Sequence, residues 1–392
     1  MLCTDQRKWS AGLWFLLKSC LVTLLRDDWP KTDQSENNIS SSLGPVVKKK
    51  QRISTLPDEL PSLVEIRRSL PKHCFEPSVA RSLYYVVLNV FGVGLLYGGL
   101  IYLERLMPSY IVYAITPLYW FFQGTLLAGI FVLGHDCGHG SFSKYTLLND
   151  IAGNILHAFL MVPYYCWKLS HKNHHKNTGN IDKDEVFYPV RKKNDSGGRM
   201  LPGFGLGFGW YAYIIRGYSP RQVCHLNIFH KMYANHSLDC AISIALVTVW
   251  GMALAFYAQT MGLWALVSHY VIPALMFGTW VVIFTFLHHT EEDVPWYSDT
   301  KWDFVRGQLS SVDRDYGWAH YFIHTIGTHQ IHHLFSKIPH YHLDEATAHF
   351  RKAFPHLVRY DDSPILPSFI RMFKKYLRQS VISDEADIHI YQ

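Results

Sequence analysis

Four apolar runs constrain what this chain can fold into: YYVVLNVFGVGLLYGGLIYL from Tyr84, YIVYAITPLYWFFQGTLLAGIFVLG from Tyr110, CAISIALVTVWGMALAFYA from Cys240 and LWALVSHYVIPALMFGTWVVIFTFL from Leu263. Each holds about 20 residues or more, enough at a rise of about 1.5 Å per residue to cross a hydrocarbon core about 30 Å thick. The breaks between partners are short: one lies around Glu104, Arg105 and Pro108, the other at Gln259–Gly262. The runs therefore pair as two hairpins, with spans expected at about 83–103, 110–133, 239–258 and 263–287. Two further apolar stretches, Ile151–Trp167 and Leu201–Ile215, are interrupted by Pro or Gly and are expected to lie in the interface. The expected fold class is an all-α membrane protein, two transmembrane hairpins under a helical cap.

The hydrophobic share of 49% is thus concentrated rather than dispersed, and Trp and Tyr gather near the ends of the runs, where an apolar ring with a polar edge suits the headgroup level. The net charge of +6 is spread over segments flanking the helices and forms no stripe, so it does not identify a nucleic-acid binder, and no nucleic-acid partner is expected. Seven scattered cysteines without a C-x-x-C pair argue against a disulfide framework or a zinc ribbon. Residues 1–55 divide into an apolar start, WSAGLWFLLKSCLVTLL, expected as an interfacial helix, and a polar tract rich in Lys, Ser and Asn, expected to be disordered. A main domain over 56–375 and a tail over 376–392 complete the division.

The chemistry is written in histidine. HKNHH at 171–175 and HQIHH at 329–333 share one spacing, for which chance gives roughly 0.08 matches in a chain with 23 histidines among 392 residues. HDCGH, with His135 and His139, ends the first hairpin. On a helix, residues at i, i+3 and i+4 face one way, so His135 with His139, His171 with His174 and His175, and His329 with His332 and His333 each present a convergent face. The hairpins bring all three clusters out on one side of the membrane. About a dozen Lys and Arg between His135 and Asp239, among them Lys168, Lys172, Lys176 and Arg191, place that side, and both termini, in the cytosol.

Eight imidazoles exceed what a single ion takes while leaving a position open, so two metals fit better. Nitrogen-only donors suit zinc, copper or iron alike. The spans hold hardly any ionisable residue besides His269, so an ion carrier lacks a polar route, and chemistry on an apolar molecule arriving from the lipid is favoured, with iron and dioxygen as the natural pair. Candidates for fixing the imidazole tautomers are Asp136, Asp182, Asp184, Asp313 and Asp315. The fourth span ends in FLHHT, so an imidazole from His288 or His289 sits beside the clusters and can complete a ninth ligand; His324 stands nearby in sequence, while His157 and His269 are read as structural.

These residues resemble the membrane fatty-acid desaturases, whose three histidine boxes read H-x(3,4)-H, H-x-x-H-H and H-x-x-H-H. The similarity runs from about Leu56 to Pro367 and includes LPKHCF, FVLGHDCGHGSFS, VPYYCWKLSHKNHH, FVRGQLSSVDRDYG and IGTHQIHHLFSKIPHYHLDEAT. It is closest to the methyl-end ω-3/ω-6 (Δ15/Δ12) branch, and FLHHT and IGTHQIHHLF lean toward ω-3. The resemblance implies two iron ions (Fe2+/Fe3+) held by His135, His139, His171, His174, His175, His329, His332, His333 and, by position, His289, with O2 as co-substrate. It implies a cis double bond introduced into an acyl-lipid or acyl-CoA, and electrons from a separate cytochrome b5 and its NADH reductase, since no HPGG haem string is present. After the second box the chain reads NTGNIDKDE, where plant relatives carry further histidines, and no Arg- and Ser-rich leader suggests a plastid; an endoplasmic-reticulum membrane is expected. An ω-6 oleate desaturase, or a hydroxylase or acetylenase on the same scaffold, is the alternative within the chemistry, and a non-enzymatic membrane metal-binding protein the alternative outside it.

Overall fold

The computed structural model describes residues 56–392 apart from Asp58, Ser196 and residues 198–204. The apolar start and polar tract of residues 1–55 lie outside the described residues. Among the described residues, four helices are long and apolar enough to cross a membrane: α1 (Val79–Leu106), α2 (Ser109–His139), a later pair after three shorter helices α3 (Thr146–Ala158), α4 (Tyr164–Asn177) and α5 (Gly207–Arg216), namely α6 (Ser237–Met261) and α7 (Leu263–His289). The expected two hairpins are there, and the molecule is mostly helical.

Local chemistry sets the helix ends. Ser78 caps α1, its hydroxyl accepting from the Arg81 N–H, and the chain turns at Met107–Pro108, where proline cannot continue the ladder. α2 stops at Gly140, whose φ of 67° is the left-handed conformation that ends helices and that glycine adopts without strain. The second hairpin turns at Gly262, φ 91°. In α7 a π-helical turn at Val267–Val271 precedes Pro273. Proline has no N–H for the His269 carbonyl four residues back; the Tyr119 hydroxyl donates to that carbonyl instead, at 2.8 Å.

Helix length positions the site. At about 1.5 Å per residue, the 31 residues of α2 and the 27 of α7 reach about 46 and 40 Å, well beyond a core of about 30 Å. Helices this long can carry their C-terminal ends, with His135, His139, His288 and His289, past the edge of such a core. α2 and α7 form the centre of the bundle; α1 and α6 leave most of their surface open, as helices that are apolar all round do when lipid is their solvent. Glycines at 207 and 278 let α5 lie directly on α7, and a Cβ at Gly207 would run into the Leu275 carbonyl.

The interrupted stretches fold as short amphipathic helices. α3 exposes Leu147, Ile151 and Ile155, one row at i, i+4 and i+8, while burying Leu156 and His157. The cap is completed by α8 (Phe304–Gln308), α9 (His329–Leu334), α10 (His340–Ala353) and α11 (Ile365–Gln379). Three two-stranded ladders tie its loops: β1 (Val190–Arg191) with β5 (Val381–Ile382), β2 (Pro295–Tyr297) with β6 (Ile388–Ile390), and β3 (Asp313–Arg314) with β4 (Tyr360–Asp361). The last residues are thereby packed into the cap, with Tyr391 fully buried.

Candidate metal centre

Four elements deliver imidazoles to one place: the end of α2, the face of α4, the end of α7 and the short α9. One ring nitrogen from each of His135, His139, His171, His175 and His332 lies within 4.8 Å of all the others. Within that group the Nε2 atoms of His135 and His139 are 3.1 Å apart, those of His171 and His175 3.1 Å, and those of His175 and His332 3.2 Å. A second group forms beside it. His174, His289 and His333 converge in the same way, and His329 joins them, its Nε2 3.0 Å from that of His289 and 2.9 Å from that of His333. All nine candidate histidines are thus brought together, as five and four.

These separations have a physical reading. Ligands held about 2.0–2.1 Å from one ion at right angles sit about 3.0 Å apart. Burial, reinforced by the neighbouring imidazoles, holds His171, His175, His329, His332 and His333 well below the ordinary imidazole value. These rings are neutral near pH 7, and each directs a lone pair or a lone N–H at another nitrogen rather than at an oxygen. A cation at the centre of each group supplies the missing partner, so the donor set fits two metal ions.

The outer nitrogens are fixed by protein oxygens. His174 Nδ1 lies 2.7 Å from the fully buried Asp184 carboxylate, which also accepts the Gly179 N–H. His333 Nδ1 is 3.1 Å from both Gln308 Oε1 and Thr178 Oγ1, while the Gln308 amide donates to the His175 carbonyl. With Nδ1 donating outward, Nε2 is left free to ligate, the usual arrangement around bound metals. Gln308 and Thr178 escaped the sequence reading. The only signal for Gln308 was its place inside FVRGQLSSVDRDYG, and for Thr178 its spacing four residues after His174.

The acids divide. Asp136 accepts from the backbone N–H and Nδ1 of His340, at 3.1 and 2.9 Å, and its other oxygen is 3.4 Å from His135 Nδ1, outside hydrogen-bonding geometry. Asp182 is instead forked by Arg191 at 2.6 and 2.9 Å, and Asp313 accepts from the Gln330 N–H and Arg351; among the described residues neither bonds a box histidine. Asp315 accepts from the Gly317 N–H in an exposed turn. Asp313 thus holds the start of α9 in place, and Asp182 pins the loop after the second box. Of the remaining histidines, His288 turns its Nε2 to the Tyr316 hydroxyl at 3.0 Å, and His324 meets Asn89 at 3.2 Å; neither enters a group.

An apolar cavity opens onto the site. Its walls include Phe131, Trp167, Phe187, Trp210, Val281 and Phe284, and it reaches His135 and His171 of the first group and His174, His289 and His329 of the second.

Comparison with known proteins gives a consistent picture. The family described as Fatty acid desaturase matches residues 108–364. The chain is 38% identical to the sn-1 acyl-lipid omega-3 desaturase (ferredoxin) of Synechocystis sp. over 86% of this chain and 92% of that protein. It is 39% identical to the omega-3 fatty acid desaturase, endoplasmic reticulum, of Nicotiana tabacum, over 84% of this chain and 88% of the relative. With the omega-6 fatty acid desaturase, endoplasmic reticulum isozyme 2, of Glycine max it shares 37% identity over 87% and 92%.

Proposed function

This chain belongs to the fatty acid desaturase family, and from that premise we propose that it is a methyl-end desaturase that places a cis double bond in an unsaturated acyl chain carried on a lipid or CoA, at the ω-3 position. The observation that carries this is the apolar cavity ending at both imidazole groups. A flexible hydrocarbon chain gains binding energy along such walls, and how far the chain runs past the histidines decides which two carbons react.

In this reading His135, His139, His171, His175 and His332 hold one iron, and His174, His289, His329 and His333 the other. The pair supplies activation of O2 when bound. Two adjacent C–H bonds break and a C=C π bond forms. O2, with those two hydrogens, two electrons and two further protons, leaves as two waters. Asp184, Gln308 and Thr178 keep the Nδ1 protons of His174 and His333 turned away from the centre, so that each ring offers Nε2. Phe131, Trp167 and Phe284 keep bulk water from the reacting carbons.

The desaturase domain runs over 56–375. The electron donor in this reading is cytochrome b5 with its NADH reductase, and omitting cytochrome b5 from a reconstituted NADH-driven assay stops turnover. The membrane is that of the endoplasmic reticulum, with the histidine face and both termini cytosolic; the Lys and Arg residues around Lys168–Arg191 support that orientation. One specific observation favours a second reading, ω-6 desaturation of oleate: the Glycine max relative matches as extensively as the ω-3 relatives.

Expression in a yeast that makes oleate, with linoleate supplied, separates the two. We expect new α-linolenate by mass spectrometry of total fatty acids. Linoleate formed from oleate alone replaces the ω-3 reading with the ω-6 one, and hydroxylated or acetylenic products alone overturn desaturation.

A further inference from the structure

Away from the two imidazole groups, the string LPKHCF folds into a single 3-10 turn, Lys72–Phe75, that packs against α10. His73 and Cys74 come from the turn, and His342 and Glu345, three residues apart on one helix face, come from α10. Their nitrogen, sulfur and oxygen atoms all lie within 4.8 Å of one another. We propose that these four residues form a third metal site, a structural zinc site with one thiolate, two imidazoles and one carboxylate.

The geometry supports a tetrahedral ion. With Zn–N and Zn–O bonds of about 2.0–2.2 Å and a Zn–S bond of about 2.3 Å, ligand atoms at tetrahedral angles stand about 3.3–3.7 Å apart. Cys74 Sγ to His73 Nε2 is 3.8 Å, and His342 Nδ1 to Glu345 Oε2 is 3.8 Å, so these two edges close by a few tenths of an ångström or less. The remaining measured edge, His73 Nε2 to Glu345 Oε2, is 2.9 Å and needs to open by about half an ångström. Pairwise contacts link His73 to Glu345, Cys74 to His73 and His342 to Glu345; a single ion satisfies all four donors at once. The donor set suits zinc. Thiolate, imidazole and carboxylate are all donors that zinc accepts, and four of them match its tetrahedral preference. Binding releases one proton, from the Cys74 thiol to solvent, and changes no oxidation state. His73 is more than half exposed and gives the ion its entry path, whereas Cys74 is fully buried.

The site's role follows from what it ties together. It fastens the turn before α1 to α10, whose first residue, His340, is bound to Asp136 beside His135, and whose Tyr341 hydroxyl accepts the Ser78 N–H at the cap of α1. Zinc there braces the first and third histidine boxes against each other without taking part in the reaction.

The test uses untagged, full-length protein in detergent, analysed for zinc and iron by elemental mass spectrometry. About one zinc per chain is expected, lost in Cys74→Ser and in His342→Ala while iron content stays at the unsubstituted level. A chain that carries no zinc and takes none up from added zinc chloride overturns the proposal, as does Cys74→Ser with zinc undiminished. Should the variants fail to fold, zinc-edge X-ray absorption on the unsubstituted protein decides: one sulfur neighbour at about 2.3 Å supports the site, and only nitrogen and oxygen neighbours sink it.

Discussion

His269 and His289 lie on the same helix, about 30 Å apart along α7, and the chain surrounds them in opposite ways. At His269 both ring nitrogens meet oxygen: Nε2 is 2.9 Å from Glu104 and Nδ1 2.8 Å from the Tyr257 hydroxyl, which itself meets the Tyr97 hydroxyl. At His289 the Nε2 meets only other imidazole nitrogens, those of His174 at 3.3 Å and His329 at 3.0 Å. Both are buried. The first is a closed polar network that stitches α1, α6 and α7 inside the bundle, where an unmet donor or acceptor is costly. The second is a set of donors that the protein alone does not complete. A histidine with oxygen at both ring nitrogens is satisfied within the protein; histidines whose inner nitrogens face one another form a set that could hold a metal ion.

The sharpest way to break this comparison is to remove one histidine from each end. His332→Ala is expected to abolish the desaturated product and to lower bound iron, with the protein still inserted in the membrane. His269→Ala is expected to keep iron and product per folded molecule while lowering stability by about 1–3 kcal/mol, the cost of leaving buried groups unsatisfied. Iron content, fatty-acid analysis and thermal melting in detergent on the same two preparations measure both. Iron lost from His269→Ala, or product retained in His332→Ala, reverses the assignment.

Acid is the next probe. His171, His175, His329, His332 and His333 have folded values held well below the ordinary imidazole value of about 6.5 by burial and by one another. Above that value both the folded and unfolded chains leave them neutral, and stability is unaffected. As pH falls below it the unfolded chain takes up protons that the folded one refuses, so stability drops by up to about 1.4 kcal/mol per imidazole per pH unit until the depressed folded values are reached. Melting followed from about pH 7.5 to about pH 5.5 should steepen below 6.5, with iron released in parallel, and His332→Ala should flatten the slope. A flat profile would show that folding does not lower the proton affinity of these rings.

Much of this was legible before any coordinates. The bundle is written in run length, because a lipid core rewards about 20 apolar residues with a helix and little else. The boxes are written in helical spacing, and all nine candidate imidazoles meet. What was not legible depends on long-range packing. FLHHT does not say which of two adjacent imidazoles, about 100° apart on a helix, turns inward; the Tyr316 hydroxyl, remote in sequence, takes His288. Gln308 looks like any polar residue until α8 sets it under His333. Nor does HYHLDE announce that His342 and Glu345 will meet His73 and Cys74, some 270 residues earlier.

The smallest effect sharpens the comparison within a single loop. Asp182 and Asp184 are two residues apart, and sequence favours neither. The Asn180 side chain accepts the N–H groups of Asp182 and Lys183, turning the chain, and Arg191 then draws Asp182 outward while Arg221 holds the Asp184 carbonyl, leaving the Asp184 carboxylate against His174. Asp184→Asn keeps the shape but weakens the acceptor that orients His174, and partners of metal-bound histidines typically contribute 10–100-fold to metal affinity. Competition with a chelator should therefore show iron bound about 10–100-fold more weakly in Asp184→Asn and unchanged in Asp182→Asn. Equal losses in the two variants would mean that the loop's shape, rather than the Asp184 carboxylate, supports the imidazole.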